Sequence, residues 1–276
     1  MIPMPSNTKV VPAKSAKGAA RSPALAASFS RASRTYGPRS GVQAAMAEWL
    51  SDWLPPVRSG PVLEIGAGTG LFTRKLFPWS GPVTASDLSP EMCRVGRAGV
   101  PQAEWIPMEA EHPSGGPWAW IFSSSMLQWA ADPSEVFRAW RNCLAPGGRV
   151  LGGVLAAGSL VEWNALAGEA SPLAWRTPEE WRSHLSGAGF RLLRDQAEKR
   201  SFHYPSALDL LRSLHDVGGA PHRRYAAGRL RRHLRDYDER FRSLGGVGAS
   251  WMFYRFEVDL GDTPGEIHAT LPSKSP

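Results

Sequence analysis

Gly60-Pro61-Val62-Leu63-Glu64-Ile65-Gly66-Ala67-Gly68-Thr69-Gly70 reads as a short apolar strand that runs straight into a glycine-rich turn. Val62, Leu63 and Ile65 supply the strand, while Gly66, Gly68 and Gly70 permit positive φ and let a ligand approach bare backbone. Leu71 to Phe77 then opens a predicted helix. A second strand, Val83-Thr84-Ala85-Ser86, ends on Asp87, 17 residues beyond Gly70. A carboxylate there accepts bonds from both hydroxyls of a ribose, or caps the helix that follows. Strand, glycine turn, helix and acidic second strand together form the nucleoside-binding half of a doubly wound α/β sheet.

The glycine spacing narrows the ligand. Dinucleotide sites follow G-x-G-x-x-G and hold a pyrophosphate on a helix N-terminus. Here the order is Gly66-x-Gly68-x-Gly70, with Glu64 just before it, where an anion is poorly placed and a cationic ligand well placed. Acidic-x-Gly-x-Gly-x-Gly followed by an acidic second strand resembles the signature of class I S-adenosylmethionine-dependent methyltransferases. The resemblance implies S-adenosylmethionine as cofactor and a Rossmann-like fold, a seven-stranded, mostly parallel sheet with helices on both faces.

A chain of 276 residues with 42% hydrophobic content suits one large α/β domain. No apolar run approaches the roughly 20 residues of a membrane-spanning helix, so a cytoplasmic protein without an anchor is expected. Cys93 and Cys143 lack metal-ligand spacing and read as reduced thiols, and the seven His residues are scattered, so no metal site is expected. The net charge of +7 invites a nucleic-acid partner. Lys9, Lys14, Lys17 and Arg21, however, lie in an N-terminal segment without an acidic residue, and removing them leaves +3. Residues 1–27 read as a disordered basic tail, 28–262 as the catalytic domain and 263–276 as a C-terminal tail.

Further strands are expected at 103–107, 118–124, 149–156, 191–204 and 251–260, and the methyltransferase resemblance implies that the last is antiparallel. A helix is expected from Ser40 to Trp53, with Val42, Met46, Leu50 and Trp53 on one face, and another over 133–144. Thr177-Pro178-Glu179-Glu180 is a capping box with proline at the first helical position. Two helical segments within 206–246 exceed what a minimal sheet needs. They read as a helical cap over the ligand site, inserted before the last strand.

Four segments carry a closer resemblance. Phe29-Ser30-Arg31-Ala32 with Tyr36 and Gln43, Ser123-Ser124-Ser125-Met126-Leu127-Gln128-Trp129, Leu155 to Glu162, and Leu211-Arg212-Ser213-Leu214 through Gly218 are similar to motifs of the malonyl-acyl-carrier-protein O-methyltransferases of biotin biosynthesis. The likeness covers roughly residues 28–260. Ser124 stands where that family usually has Asn, Ala119 where Asp is common and His215 where Lys is common.

What the resemblance implies can be stated residue by residue. Glu64, Gly66, Ala67 and Gly68 meet the methionine end of the cofactor, or form a structural turn. Asp87 holds the ribose. Leu88 and Met92 sandwich the adenine or belong to the core, and Glu109 with Ala110 receives the adenine amino group or is a solvated loop. Ser124 completes the cofactor set. On the acceptor side, Tyr36 orients the substrate or packs at the core edge, and Gln128 and Trp129 wall the reacting centre or anchor their turn. The reaction implied is methylation of the malonyl carboxylate. The alternatives are a small polycarboxylic acid acceptor of the trans-aconitate kind, or a non-catalytic adenosyl-binding partner protein. The segment His222 to Arg242 carries eight Arg against three acids, +5 in all. Arg223, Arg224, Arg231 and Arg232 there are expected to meet an acyl carrier protein, or to form a solvated helix face; no RNA-recognition motif accompanies them. A monomer is expected.

Overall fold

The computed structural model describes residues 21–32, 40–77, 79–167, 175–216 and 227–261. Along the chain run α1 (Arg21–Ala32), α2 (Gly41–Ser51), β1 (Val62–Ile65), β2 (Val83–Asp87), α3 (Pro90–Gly99), β3 (Glu104–Pro107) and β4 (Trp118–Ser124). Then follow α4 (Pro133–Cys143), β5 (Leu144–Ala156), α5 (Val161–Ala167), α6 (Pro178–Gly187) and β6 (Arg191–Tyr204). The last elements are α7 (Ala207–Asp216), α8 (Ala227–Arg240), β7 (Arg242–Ser243) and β8 (Gly246–Asp259). Seven strands lie in the order β3-β2-β1-β4-β5-β8-β6, and the two-residue β7 pairs with β8. β8 is antiparallel to both neighbours, while β1 pairs in parallel with β2 and β4.

Helices cover both faces because the central strands are apolar on both sides. In β1, Leu63 and Ile65 join a cluster with Phe137, Trp140 and Trp181 of α4 and α6, whereas Val62 joins Leu50, Phe72 and Leu76 on the other face. The capping box is formed: Thr177 accepts from Glu180 N, and the Glu180 carboxylate accepts from Thr177 N. Arg255 is buried with its guanidinium carbon 4.1 Å from the Trp49 ring centroid and 4.2 Å from that of Trp53. It also donates to Trp49 O, so a desolvated cation pins the C-terminal end of α2 to β8.

Two expectations are corrected. Leu71 to Phe77 is not an α-helix; it is a turn followed by a single 3-10 turn over Thr73–Leu76. Phe77 precedes Pro78 and is extended (φ −95°, ψ 133°), as the residue before a proline prefers, and this stops propagation. At the N-terminus, α1 begins at Arg21, inside the segment read as a disordered tail, so a boundary at residue 27 falls within a helix. Ala24, Ala26 and Ala27 have high intrinsic helix propensity, a signal that amphipathic periodicity does not capture.

β6 and β8 are longer than their neighbours. Their pairing continues to Tyr204↔Val247, past Ala156↔Met252, where β5 ends. Against this projecting ribbon pack α7 and α8, with Ala207, Leu210 and Tyr237 in one cluster with Val247, Ala249 and Trp251. Asp238 accepts from Ala207 N at 2.6 Å, and the Tyr237 hydroxyl donates to Gly248 O at 2.8 Å, tying the two helices to each other and to the ribbon.

Candidate functional site

Chain order reverses between β1 and β4, and ligands of doubly wound sheets bind at the strand C-termini there. The glycine loop leaves β1 at this point and is tied to β2. Gly66 N and Ala67 N donate to Ser86 O at 2.9 and 2.8 Å. Asp87 divides its carboxylate between Gly68 N, at 2.9 Å, and Ser89 N, at 2.8 Å. The N-cap of α3 is Ser89, whose hydroxyl accepts from Met92 N. Gly66 (φ +77°), Gly68 (φ +57°) and Gly70 (φ +87°) occupy the left-handed region. The space around them differs. A Cβ on Gly66 would lie 2.3 Å from Met126 Cγ, whereas one on Gly70 would point into Val100 and Trp105, so Gly70 serves packing.

A recess of about 250 Å³ opens beside the loop, lined by Gln43, Glu64, Gly66, Ala67, Leu71, Phe72 and Ser124. Four of the residues singled out for the cofactor, Glu64, Gly66, Ala67 and Ser124, thus share one wall. Glu64 is 1% exposed, and its Oε2 has no hydrogen-bond partner among the described residues. Burial pushes its carboxyl from 4.5 up to about 8; the Thr73 hydroxyl opposes this and the Asp87 charge adds to it. Asp87 is pushed up to about 6, again by burial, against the two N–H groups it accepts.

Asp87, Leu88, Met92, Glu109 and Ala110 lie outside this recess, at the end of β2 and on the segments that follow β2 and β3. Met92 is buried and Glu109 is exposed, 3.0 Å from His112 Nδ1. Ala110 O accepts from Trp140 Nε1 at 2.9 Å. Tyr36, Arg223 and Arg224 lie outside the described residues.

Past β4, Ser125 adopts φ +59°, and its hydroxyl is buried without a partner among the described residues. Gln128 donates to Ser125 O at 2.7 Å while its own carbonyl oxygen is also unpaired. Buried polar atoms are nearly always satisfied, so Glu64 Oε2, Ser125 Oγ and Gln128 Oε1 mark the ends of β1 and β4 as a place built for something else. A non-glycine residue held in the left-handed region supports the same reading. Sequence reasoning passed over Ser125, because nothing in its composition signals a positive φ.

One turn of α1 closes this edge. Phe29 meets Trp129 edge-on, with ring centroids 5.5 Å apart, and the neighbouring Ser30 hydroxyl lies 2.8 Å from that of Ser89. α1 therefore touches the segments after both β2 and β4, and β1 with its glycine loop lies between those strands.

A family model described as a methyltransferase domain matches residues 39–218. A malonyl-[acyl-carrier protein] O-methyltransferase of Herminiimonas arsenicoxydans is 32% identical over 203 residues, 70% of this chain and 76% of its own. The chain belongs to this methyltransferase family. The chain therefore carries a methyltransferase domain related to those of the malonyl-[acyl-carrier protein] enzymes. A biotin biosynthesis bifunctional protein of Bordetella avium is 34% identical over 203 residues, 70% of this chain. The methyltransferase spans only 43% of that relative's length. The fold matches that of a candidate methyltransferase from Bacillus halodurans C-125, with a TM-score of 0.59 at 17% identity over 80% of this chain and 99% of the other.

Among the described residues of the methyltransferase, no group of three or more His, Cys, Asp or Glu could hold a metal ion. No described helix is long and apolar enough to cross a membrane. Cys93 is a buried free thiol, pushed up to about 11 by burial, which disfavours the nucleophilic thiolate.

Proposed function

We propose that this methyltransferase esterifies the free carboxylate of malonyl-acyl carrier protein, an early step of biotin synthesis. The observation that carries the reading is the unpaired, buried Glu64 oxygen beside the glycine loop of a chain 32% identical to a malonyl-[acyl-carrier protein] O-methyltransferase. A lone buried carboxyl oxygen is satisfied by a cationic donor such as the ammonium of S-adenosylmethionine, so the residues present fit that cofactor. When bound, the cofactor supplies a methyl sulfonium, whose methyl passes to an acceptor oxygen while the sulfur keeps the bond's electron pair.

In this reading Glu64, Gly66, Ala67, Gly68 and Ser124 receive the methionine end. The recess takes the methionine end alone, and the adenosine extends from it toward Asp87, Leu88, Met92, Glu109 and Ala110, none of which lines it. Asp87 fixes the loop through Gly68 and offers its remaining lone pairs to the ribose. A malonyl carboxylate is already ionised at neutral pH, so no general base is required. The chain's task is alignment and exclusion of water, which fall to Gln128, Trp129, α1, and Tyr36 by resemblance.

The ribbon and helices of 206–246 form the cap that meets the carrier protein. Arg231 and Arg232 are exposed on α8 and suit an acidic partner. Relative kcat/KM for malonyl-carrier protein, malonyl-coenzyme A and trans-aconitate tests the reading. The carrier-protein substrate is expected to lead, and a lead for the free polyacid would replace this proposal.

A further inference from the structure

Where β5 ends stand two tryptophans, Trp251 buried and Trp175 half-buried. Trp251 is 3% exposed, and both Trp251 Nε1 and Trp175 Nε1 are buried without a hydrogen-bond partner among the described residues. Their rings stand nearly perpendicular, with centroids 6.4 Å apart. The Trp251 indole and the Ser213 hydroxyl of α7 both face the Tyr204 hydroxyl, Trp251 short of hydrogen-bond geometry.

The place of these rings in the fold is informative. The residue after Trp251 pairs with Ala156, the last of β5, and Ala157 N donates to the carbonyl of Arg176, the residue after Trp175. Both residues therefore sit at the C-terminal end of β5. They share an apolar cluster with Val42 of α2, and the next residue, Gln43, lines the cofactor recess.

We propose that Trp175 and Trp251 form the acceptor subsite, their two N–H groups donating to acyl oxygens of the methyl acceptor. An indole nitrogen is a donor only, so the pair complements a carboxylate or thioester carbonyl and gives an amine nothing to bind. Leaving buried donors unpaired is costly, and an oxygen-rich ligand removes that cost on binding. This deepens the malonyl-thioester reading and rests on it for the identity of the acceptor; the indole pair itself is observed independently.

The test uses the full chain with malonyl-pantetheine as probe. Trp175→Phe and Trp251→Phe keep an aromatic ring and lose the N–H. Each should raise KM for malonyl-pantetheine about tenfold, with the dissociation constant for S-adenosylmethionine within about twofold of wild type. Should either variant fail to fold, the wild type still decides. Loaded with S-adenosylhomocysteine and titrated with malonyl-pantetheine, it should show the assigned Trp175 and Trp251 indole N–H resonances moving downfield. Methyl transfer to malonyl-pantetheine with both resonances unmoved, or with KM unchanged in both variants, overturns the subsite alone. Moving resonances without methyl transfer leave the subsite standing and overturn the proposed reaction. Neither movement nor transfer overturns both.

Discussion

Asp87 Oδ2 accepts the backbone N–H of Gly68 at 2.9 Å, so the acidic end of β2 holds the glycine loop that leaves β1. Its other oxygen accepts from Ser89 N, the cap of α3. One carboxylate thus sets the loop, the start of α3 and the edge along which the ribose is proposed to lie.

Asp87→Ala removes charge-assisted bonds worth roughly 1.5–3 kcal/mol each. It should weaken S-adenosylmethionine binding more than about tenfold and lower Tm as well. Calorimetry on the folded variant decides it, and an unchanged dissociation constant would confine Asp87 to a structural role.

Glu64 makes cofactor binding depend on pH. In the free protein its carboxyl is protonated below about 8, whereas a cationic ligand favours the carboxylate. Affinity should therefore rise from pH 6 to about 8 with release of a proton, then level off. The signature is a binding enthalpy that varies with the buffer's ionisation enthalpy, and Glu64→Gln should abolish it.

Stability of the free protein carries the opposite sign. A folded-state value raised from 4.5 to about 8 means that the native state holds this proton more tightly than the unfolded chain. The associated stability is fully present below 4.5 and is lost as pH rises to about 8. Glu64→Gln should flatten that slope in Tm and raise Tm most near pH 8.

Phe29→Ala removes the aromatic contact that seats α1 on Trp129. Cofactor release, followed by stopped flow, should become faster, and limited proteolysis should cut more readily within residues 21–32. Unchanged release would make α1 a covering without influence on the site.

Reversing Arg231 and Arg232 to Glu should raise KM for malonyl-carrier protein and spare malonyl-coenzyme A. The effect should shrink with salt, because exposed charges are screened over about 10 Å at 0.1 M ionic strength. Equal losses for both acceptors would point to a damaged cap instead.

Features encoded by neighbours in the chain are legible in the sequence. The glycine loop and the Thr177–Glu180 capping box depend on residue types a few positions apart, and both are present. The antiparallel last strand came from resemblance to a family rather than from periodicity. Features set by distant packing were hidden. Arg255 looks like a strand-surface charge until Trp49 and Trp53 enclose it. Ser125 gives no composition signal for its φ of +59°, and the Trp175–Trp251 pair exists only once the end of β5, β8 and the segment before α6 converge.

The most direct test is to locate the transferred methyl. Incubation with methyl-labelled S-adenosylmethionine and malonyl-carrier protein should place one label on the malonyl carboxylate, released as methanol by mild alkali and detected by mass spectrometry as the methyl ester. Label on a carrier-protein side chain, or none at all while calorimetry shows the cofactor bound, would contradict the account.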